Sequence, residues 1–442
     1  MIVTGAVILL LTARGAAQTA PPPLPIAPPG SPRYVDAAGG LSLEDAIALA
    51  LKQEPSLRAA RTDIEAAMAR RQQAALRANP TATFERRQEP GGTDHQTSAG
   101  LQLPLELFRR GARIALAERE MGVSRYEFAD RERRLAADVR ARYGNVLVSI
   151  RELSVLGELV TATERQLELV AARAKEGATP PLERDLLDVE VRRLVADRRL
   201  QLGRVDAALV ELKRIVGFAP NAPTSVRETL EAVVTRESAS PVKDPADTDA
   251  VIRNRPDVLA AEARMSAADA RIEQSASEGR FDVSVFGTYM RMDAGFPQTG
   301  FAPGGGLERV RGLFNYVAGG AMVMIPLLNR NQGAIGAARA ERAGAAAERD
   351  AAVLQAQADL AAARIQDASA REVVAQYRAG ATRLARQNLM VVGQTFELGR
   401  ATVFDVLAEQ RRYLEVERSF TDALRSAFEA RTQLHLAMGD LR

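Results

Sequence analysis

Few residues in this chain are equipped for chemistry. Its 442 residues contain two histidines, His95 and His435, and no cysteine. Thiolate nucleophiles, disulfides and cysteine-based metal sites are therefore excluded. His95 falls in a turn-rich stretch, E-P-G-G-T-D-H-Q. His435 sits between Leu434 and Leu436 in a helical pattern. Both read as surface or packing residues, and no soft-metal site is visible around them. Carboxylates such as Glu118 and Glu120 belong to ordinary charged helices. The glycine run Gly304-Gly305-Gly306 is not followed by the lysine of a phosphate-cradling loop. The chain reads as no enzyme, with no cofactor, no resident metal and no ATP site, so any work it takes part in draws its energy from elsewhere.

The composition points to long helices rather than to a large compact core. Aromatics make up 5% and tryptophan is absent, while 26% of residues are charged with a net charge of only +3. Arginines alternate with acids along helical faces. That is the pattern of a solvated helix surface, and nucleic acid is not expected as a partner. Residues 2–12 are apolar, too few for a membrane-spanning helix, and Gly15-Ala16-Ala17 follows as a small-residue cleavage site. Residues 1–17 thus read as a signal peptide and 18–40 as a proline-rich linker. No other stretch is long and apolar enough to span a bilayer as a helix, so any membrane insertion must use strands.

One stretch organises the rest. Residues 103–117 read L-P-L-E-L-F-R-R-G-A-R-I-A-L-A, and the pattern returns at 325–339 as I-P-L-L-N-R-N-Q-G-A-I-G-A-A-R. In each copy an alternating segment ends at a proline, Pro104 or Pro326. A glycine follows seven residues later, Gly111 or Gly333, and a long helical pattern begins. Proline lacks an N–H and suits the end of a strand. Both copies therefore predict a strand-to-helix joint.

The first repeat spans 41–220: a helix split or kinked at Pro55, a β-hairpin over 80–104, and a long helical hairpin over 107–217 turning at Gly177. Its first long helix, of about 70 residues, would run on the order of 100 Å. A linker follows over 221–249, with a short helix expected near 225–235. The second repeat, 250–442, brings a helix, a hairpin over 281–326 with a Gly- and Pro-rich loop near 293–315, and an unbroken helix over 332–396 that turns at Gly399 and returns to 439. Pro55 and Pro256 stand 201 residues apart, as do Pro80 and Phe281. Pro104 and Pro326 stand 222 apart, as do Gly177 and Gly399. The change in offset falls inside the second hairpin loop, as duplication with one loop insertion requires.

Four strands cannot close a membrane barrel, whose smallest examples have eight, and an open sheet cannot sit in lipid. Three copies would close twelve strands and set their long helices side by side. The expected fold is mainly α with a membrane β-barrel: a homotrimeric 12-stranded barrel continuing into an α-helical barrel. The alternation puts Val283, Val285 and Tyr289 on one face and Ser284 and Phe286 on the other. Both series hold apolar residues, so the lipid face stays open here.

From residue 41 to 439 the chain resembles the TolC-type outer-membrane efflux family. N-R-P-D-V-L-A-A-E at 254–262, the two strand–proline–helix joints and G-R-A-T-V-F-D-V-L-A-E-Q at 399–410 carry the resemblance. P-L-E-L-F-R-R-G-A-R at 104–113 looks most like the heavy-metal-resistance (CzcC-like) branch. The resemblance implies an outer-membrane duct with its helical barrel in the periplasm, passing small solutes or metal ions, and working with a periplasmic adaptor and an inner-membrane pump. It also implies a periplasmic entrance at the tips Gly177 and Gly399, with Arg400 and Phe396 beside the second. The family's entrance aspartates would fall at Asp405 and Asp185. Here Ala408 replaces a second aspartate and Ala401 the arginine of the family's closing network. A ring of Asp405 carboxylates would attract cations, and their repulsion would raise their pKa values; alone, Asp405 is simply an acid at a helix start. A protein-secretion duct and a periplasmic adaptor or structural coiled coil are the alternatives.

Overall fold

In the computed structural model, residues 33–90, 94–239 and 248–439 are described. The expected signal peptide, the linker up to residue 32 and part of the first hairpin loop lie outside them. Each half lays out the same elements. The first has α1 (Leu43–Gln53), α2 (Pro55–Ala75), β1 (Thr81–Gln88), β2 (His95–Pro104), α3 (Arg109–Lys175) and α4 (Pro181–Val216). After α5 (Leu230–Ala239) come α6 (Thr248–Arg253), α7 (Pro256–Glu278), β3 (Asp282–Phe301), β4 (Leu307–Met324), α8 (Gln332–Gln376), α9 (Thr382–Glu397) and α10 (Val403–Met438).

Pro55 and Pro256 do not kink a helix; each starts a new one. A proline fits the first helical position, where its missing N–H is not needed, and forces the preceding residue to be extended. Glu54 (ψ 124°) and Arg255 (ψ 134°) are those residues. α3 runs 67 residues without a break, about 100 Å. Its counterpart is interrupted: a π-helical turn, Tyr377–Ala381, separates α8 from α9. There Tyr377 stacks on Phe420 of α10, and Arg378 donates to Thr235 Oγ1 of α5 at 2.7 Å.

The four strands form one antiparallel sheet in the order β1-β2-β3-β4. The helices beneath follow the same order, with α2 against α3, α3 against α7 and α7 against α8. Among the described residues no helix packs on either sheet face to any extent, and β1 and β4 are the outer strands of the sheet. The stretch read as a loop over 293–315 is largely strand. β3 and β4 have 20 and 18 residues and turn at 302–306, where Gly305 takes φ 81°. Of the glycines that signalled a loop, Gly300 and Gly312 stay in the ladder opposite Glu308 and Ala294, Gly304, Gly305 and Gly306 lie in the turn, and the register shifts between Gly295 and Thr299.

The main core lies where both repeats meet. Tyr143, Leu147, Leu212, Leu230 and Phe428 are buried there. Phe428 fits because α3 has Gly144 opposite it; a Cβ there would lie 2.5 Å from the ring. The segments expected as linkers are part of this core. Val226 forms parallel bridges to Val35 and Leu41, and Tyr34, Val226, Val233 and Val234 are buried. Single apolar residues in these segments supply the packing.

The N-R-P-D stretch is a clamp within the fold. Arg255 donates to the carbonyls of Ala437 (3.3 Å) and Ala356 (3.4 Å), and Arg133 to Leu436 O at 2.6 Å. Together they satisfy the orphan carbonyls at the end of α10. Asp257 lies between the two guanidiniums, at 2.6 Å from Arg255 and 3.1 Å from Arg133. Burial alone would push its carboxyl up, but the Arg255 hydrogen bond and the charges of Arg133 and Arg255 hold it below the usual range.

Candidate functional site

Three places position a passage: the joints, the sheet and the helix tips. At the joints, Pro104 ends β2 and Pro326 follows β4 by two residues. Gly111 and Gly333 sit inside the first turns of α3 and α8, with ordinary φ and nothing within 4 Å of an added Cβ. The chain turns instead at Glu106 (φ 48°) and Asn331 (φ 63°), the two non-glycine residues of positive φ among those described. Each then grips the helix that precedes its hairpin. Glu106 accepts from the Ala78 N–H at 3.3 Å and from Arg113 at 2.8 Å. Its carboxyl is held low, first by the Arg113 hydrogen bond. Arg113 and Arg110 donate onward to the carbonyls of Ala74, Leu76 and Ala75 at the end of α2, at 2.9–3.0 Å. Arg109 reaches the other way, to Glu278 O of α7 at 3.3 Å. Asn331 donates to Ser275 O at 2.9 Å. The sequence motif thus works as a joint that fastens strands to helices.

The strand register sorts the sheet faces. Directly opposed residues share a face. One face carries the rows Val283/Val323, Leu103/Val285/Ala321, Ala82/Leu101/Gly287/Gly319 and Phe84/Ala99/Tyr289/Val317, all apolar. The next row, Arg86/Thr97/Arg291/Asn315, is polar. The other face mixes Thr81/Gln102/Phe286/Gly320, Thr83/Gly100/Thr288/Ala318 and Glu85/Ser98/Met290/Tyr316. Along β2, Ala99, Leu101 and Leu103 are exposed while Ser98, Gly100 and Gln102 between them are half-buried, as on the convex and concave sides of a curved sheet. The apolar band covers residues 283–289, seven positions along β3.

The tips are two copies of one helix-ending turn. Gly177 (φ 75°) donates to Ala174 O and Ala178 to Arg173 O; Gly399 (φ 74°) donates to Phe396 O and Arg400 to Thr395 O, all at 2.9–3.1 Å. Only glycine adopts that φ without strain, and these two bonds satisfy the last carbonyls. α10 then opens with a capping box: Thr402 Oγ1 accepts from the Asp405 N–H at 3.2 Å, and Asp405 Oδ2 accepts from the Thr402 N–H at 2.9 Å. The Thr402 N–H, and after it the hydroxyl, holds the Asp405 carboxyl below its ordinary value. Within one chain the shift is therefore opposite to the rise expected from a carboxylate ring. Asp185 is not its counterpart. It lies two positions further into α4 and pairs with Arg184 at 2.6 Å, while Glu183 occupies the third helical position that Asp405 holds in α10. Arg400 is exposed. Phe396 is buried with Val170, Leu187, Val403 and Val406 in a cluster that joins the two tips, so it pins them and does not line an opening.

Sequence reading missed the residue that ties those tips together. Arg173, in the last turn of α3, donates to Phe396 O at 3.3 Å and to Glu397 O, the final carbonyls of α9. Deeper in, Gln410 of α10 donates to Gln166 Oε1 at 2.9 Å and Thr163 Oγ1 at 3.2 Å of α3, in a buried seam. A basic residue closing a long helix was the only signal for the first; the second had none beyond a polar residue on an apolar stripe.

The sequence matches the family model of the outer membrane efflux protein over residues 46–217 and 248–440. The chain belongs to the outer membrane efflux protein family. Its place is the outer membrane and its activity that of an efflux channel, which sets aside the adaptor and coiled-coil readings. Among solved structures it is similar to CusC, at 16% identity and a TM-score of 0.73, over 90% of this chain and 92% of that one. A membrane protein from Pseudomonas aeruginosa matches at 20% identity and 0.69, over 96% and 97% of the two chains. VceC from Vibrio cholerae matches at 18% and 0.69, over 90% and 96%. No curated protein matches. The efflux channel has no group of three or more His, Asp or Glu residues placed to hold a metal ion among its described residues.

Proposed function

We propose that three copies of this chain close a twelve-stranded barrel in the outer membrane and a helical barrel below it. The assembly is the passive exit duct of a tripartite efflux system, joined through a periplasmic adaptor to an inner-membrane pump that drives small solutes or metal ions through it. The open four-stranded sheet carries this reading. Both its edges are unpaired, and one face carries an uncovered apolar band over residues 283–289 of β3 and the residues opposite them, an arrangement stable in lipid only when the edges close on other copies. The edge helices support the same closure. α4 exposes Leu182, Val189 and Leu200 along one side of the chain, and α8 and α9 expose Leu354, Ile365, Leu384 and Val391 along the other. Two different surfaces that meet head to tail close a ring.

In that ring the apolar strand face meets lipid and the mixed face lines the lumen. The tips at Gly177 and Gly399 form the periplasmic entrance. The exposed Asp405 carboxylates lie there as a cation-attracting ring, with Arg173 holding each second hairpin against the first. The mass of the detergent-solubilised protein, measured by light scattering with the detergent contribution subtracted, is expected to be three times that of the chain. A stable monomer overturns the barrel.

A further inference from the structure

Four of the chain's ten methionines lie in the strands, as Met290-Arg291-Met292 and Met322-Val323-Met324. Register puts all four on the mixed face. Met290 stands opposite Tyr316, Met292 opposite Phe314, Met322 opposite Ser284 and Met324 opposite Asp282. None lies on the apolar face, where a thioether would be an ordinary lipid-facing side chain. Met322 and Met324 are more than half exposed, and Gln96 Nε2 lies 2.6 Å from Met290 Sδ, fixing that sulfur on the same side.

Residues i and i+2 of a strand share a face at about 7 Å between Cα atoms. The flexible methionine side chain lets two such sulfurs converge on one ion. Thioethers are soft ligands that favour monovalent copper-like ions over hard cations. The two pairs are separated by six residues along β3, about 20 Å. Two-sulfur sites facing water hold an ion weakly enough to let it go, as passage through a duct requires.

We propose that Met290/Met292 and Met322/Met324 form two successive stations for a soft monovalent metal ion on the inner wall of the barrel, and that such ions are among the solutes the duct carries. This rests on the lumen assignment given above, and the two are tested separately. Full-length protein carrying ¹³C-methyl methionine, purified as its detergent-solubilised assembly, is titrated with silver(I) in chloride-free buffer. The methyl signals of Met290, Met292, Met322 and Met324 are expected to move, and those of Met68, Met121, Met265, Met390 and Met438 to stay. Leucine conserves the side-chain volume and removes the sulfur. Silver retained in equilibrium dialysis should fall by about half in M290L/M292L and in M322L/M324L, and at least about tenfold in the quadruple variant. A water-soluble gadolinium chelate separates the two readings. If it broadens the four methyls and silver leaves them in place, or if the quadruple variant retains wild-type silver, the metal stations are refuted and the lumen stands. If the four methyls resist the chelate, the face assignment fails and the stations fail with it.

Discussion

Replacing Arg173 with alanine should open the entrance. Its guanidinium makes two charge-assisted hydrogen bonds to Phe396 O and Glu397 O, across from α3 to the end of α9. Such bonds contribute roughly 1.5–3 kcal/mol each when buried. A cation at a helix C-terminus adds roughly 0.3–1 kcal/mol. The group is only half-buried and water can replace it, so the net loss should be about 1–2 kcal/mol for each chain. The buried cluster around Phe396 stays intact in the variant, so the tips loosen without unfolding. That energy shifts a two-state opening by a factor of roughly 5–30. In planar bilayers, single Arg173→Ala channels should therefore spend that much more time in high-conductance states. Arg173→Lys should fall between the two, because one ammonium cannot span both carbonyls as the planar fork does. Wild-type dwell times in Arg173→Ala would refute the claim that this residue holds the hairpins together.

Asp405→Asn should lower cation selectivity, read as a reversal potential across a salt gradient, while Asp185→Asn should leave it nearly unchanged because Arg184 already neutralises that carboxylate. Both variants behaving as wild type would reduce Asp405 to a helix-start acid. Because the folded-state pKa of Asp405 is depressed, the stability it lends the start of α10 is present above the ordinary carboxylate range and is lost as pH falls below it. Selectivity should fade over the same acid window. Asp257→Asn should destabilise the fold by about 2–4 kcal/mol, since Arg133 and Arg255 are buried and would each lose a partner, though Asp130 and Asp359 remain to them. Its folded pKa is depressed too, so wild-type thermal stability should hold above about pH 4 and drop below it, and the variant should show a flatter acid limb in melts followed by circular dichroism. An Asp257→Asn melt that overlays wild type at neutral pH would sink the clamp.

The large elements were readable because their signals are periodic and uninterrupted. A helix such as α3, with no proline over 67 residues, leaves little else for the chain to do. Proline punctuation at Pro55, Pro104, Pro256 and Pro326 marked breaks correctly, although the first and third start helices instead of bending them. Glycine was a partial guide. Gly111 and Gly333 marked the two joints, but the positive-φ turns fall on Glu106 and Asn331, whose side chains offset an unfavourable φ with hydrogen bonds that no spacing rule reveals. The glycines near the second hairpin tip looked like a long loop, yet backbone pairing carries the strands through them. The entrance was the least legible part. Phe396 looked available beside a tip glycine, and its burial depends on Val170 and Leu187, more than two hundred residues away. The lipid face was undecidable within one strand, since Phe286 and Val285 are both apolar. Aligning four strands separates the two faces: one carries four consecutive apolar rows before its first polar row, and the other mixes polar with apolar residues throughout.

In the proposed trimer, the shared order of strands and helices has a geometric consequence. Neighbouring strands lie about 4.8 Å apart, and a tilt near 40° widens that spacing along a rim to about 6 Å, so twelve strands enclose a rim of about 75 Å. Helices need about 8–10 Å each. Three sets of α2, α3, α7 and α8 side by side therefore need a rim of about 100–120 Å. One-to-one continuity from strand to helix leaves no way to drop a member at the boundary, so the wall must flare like a bell where the two tiers meet. The flare has to be made within four residues between β2 and α3 and seven between β4 and α8. A sideways step over so short a distance demands a reversal of backbone curvature, and Glu106 and Asn331 supply one in each half of the chain. The width of the lower vestibule is thereby tied to the strand count of the upper ring.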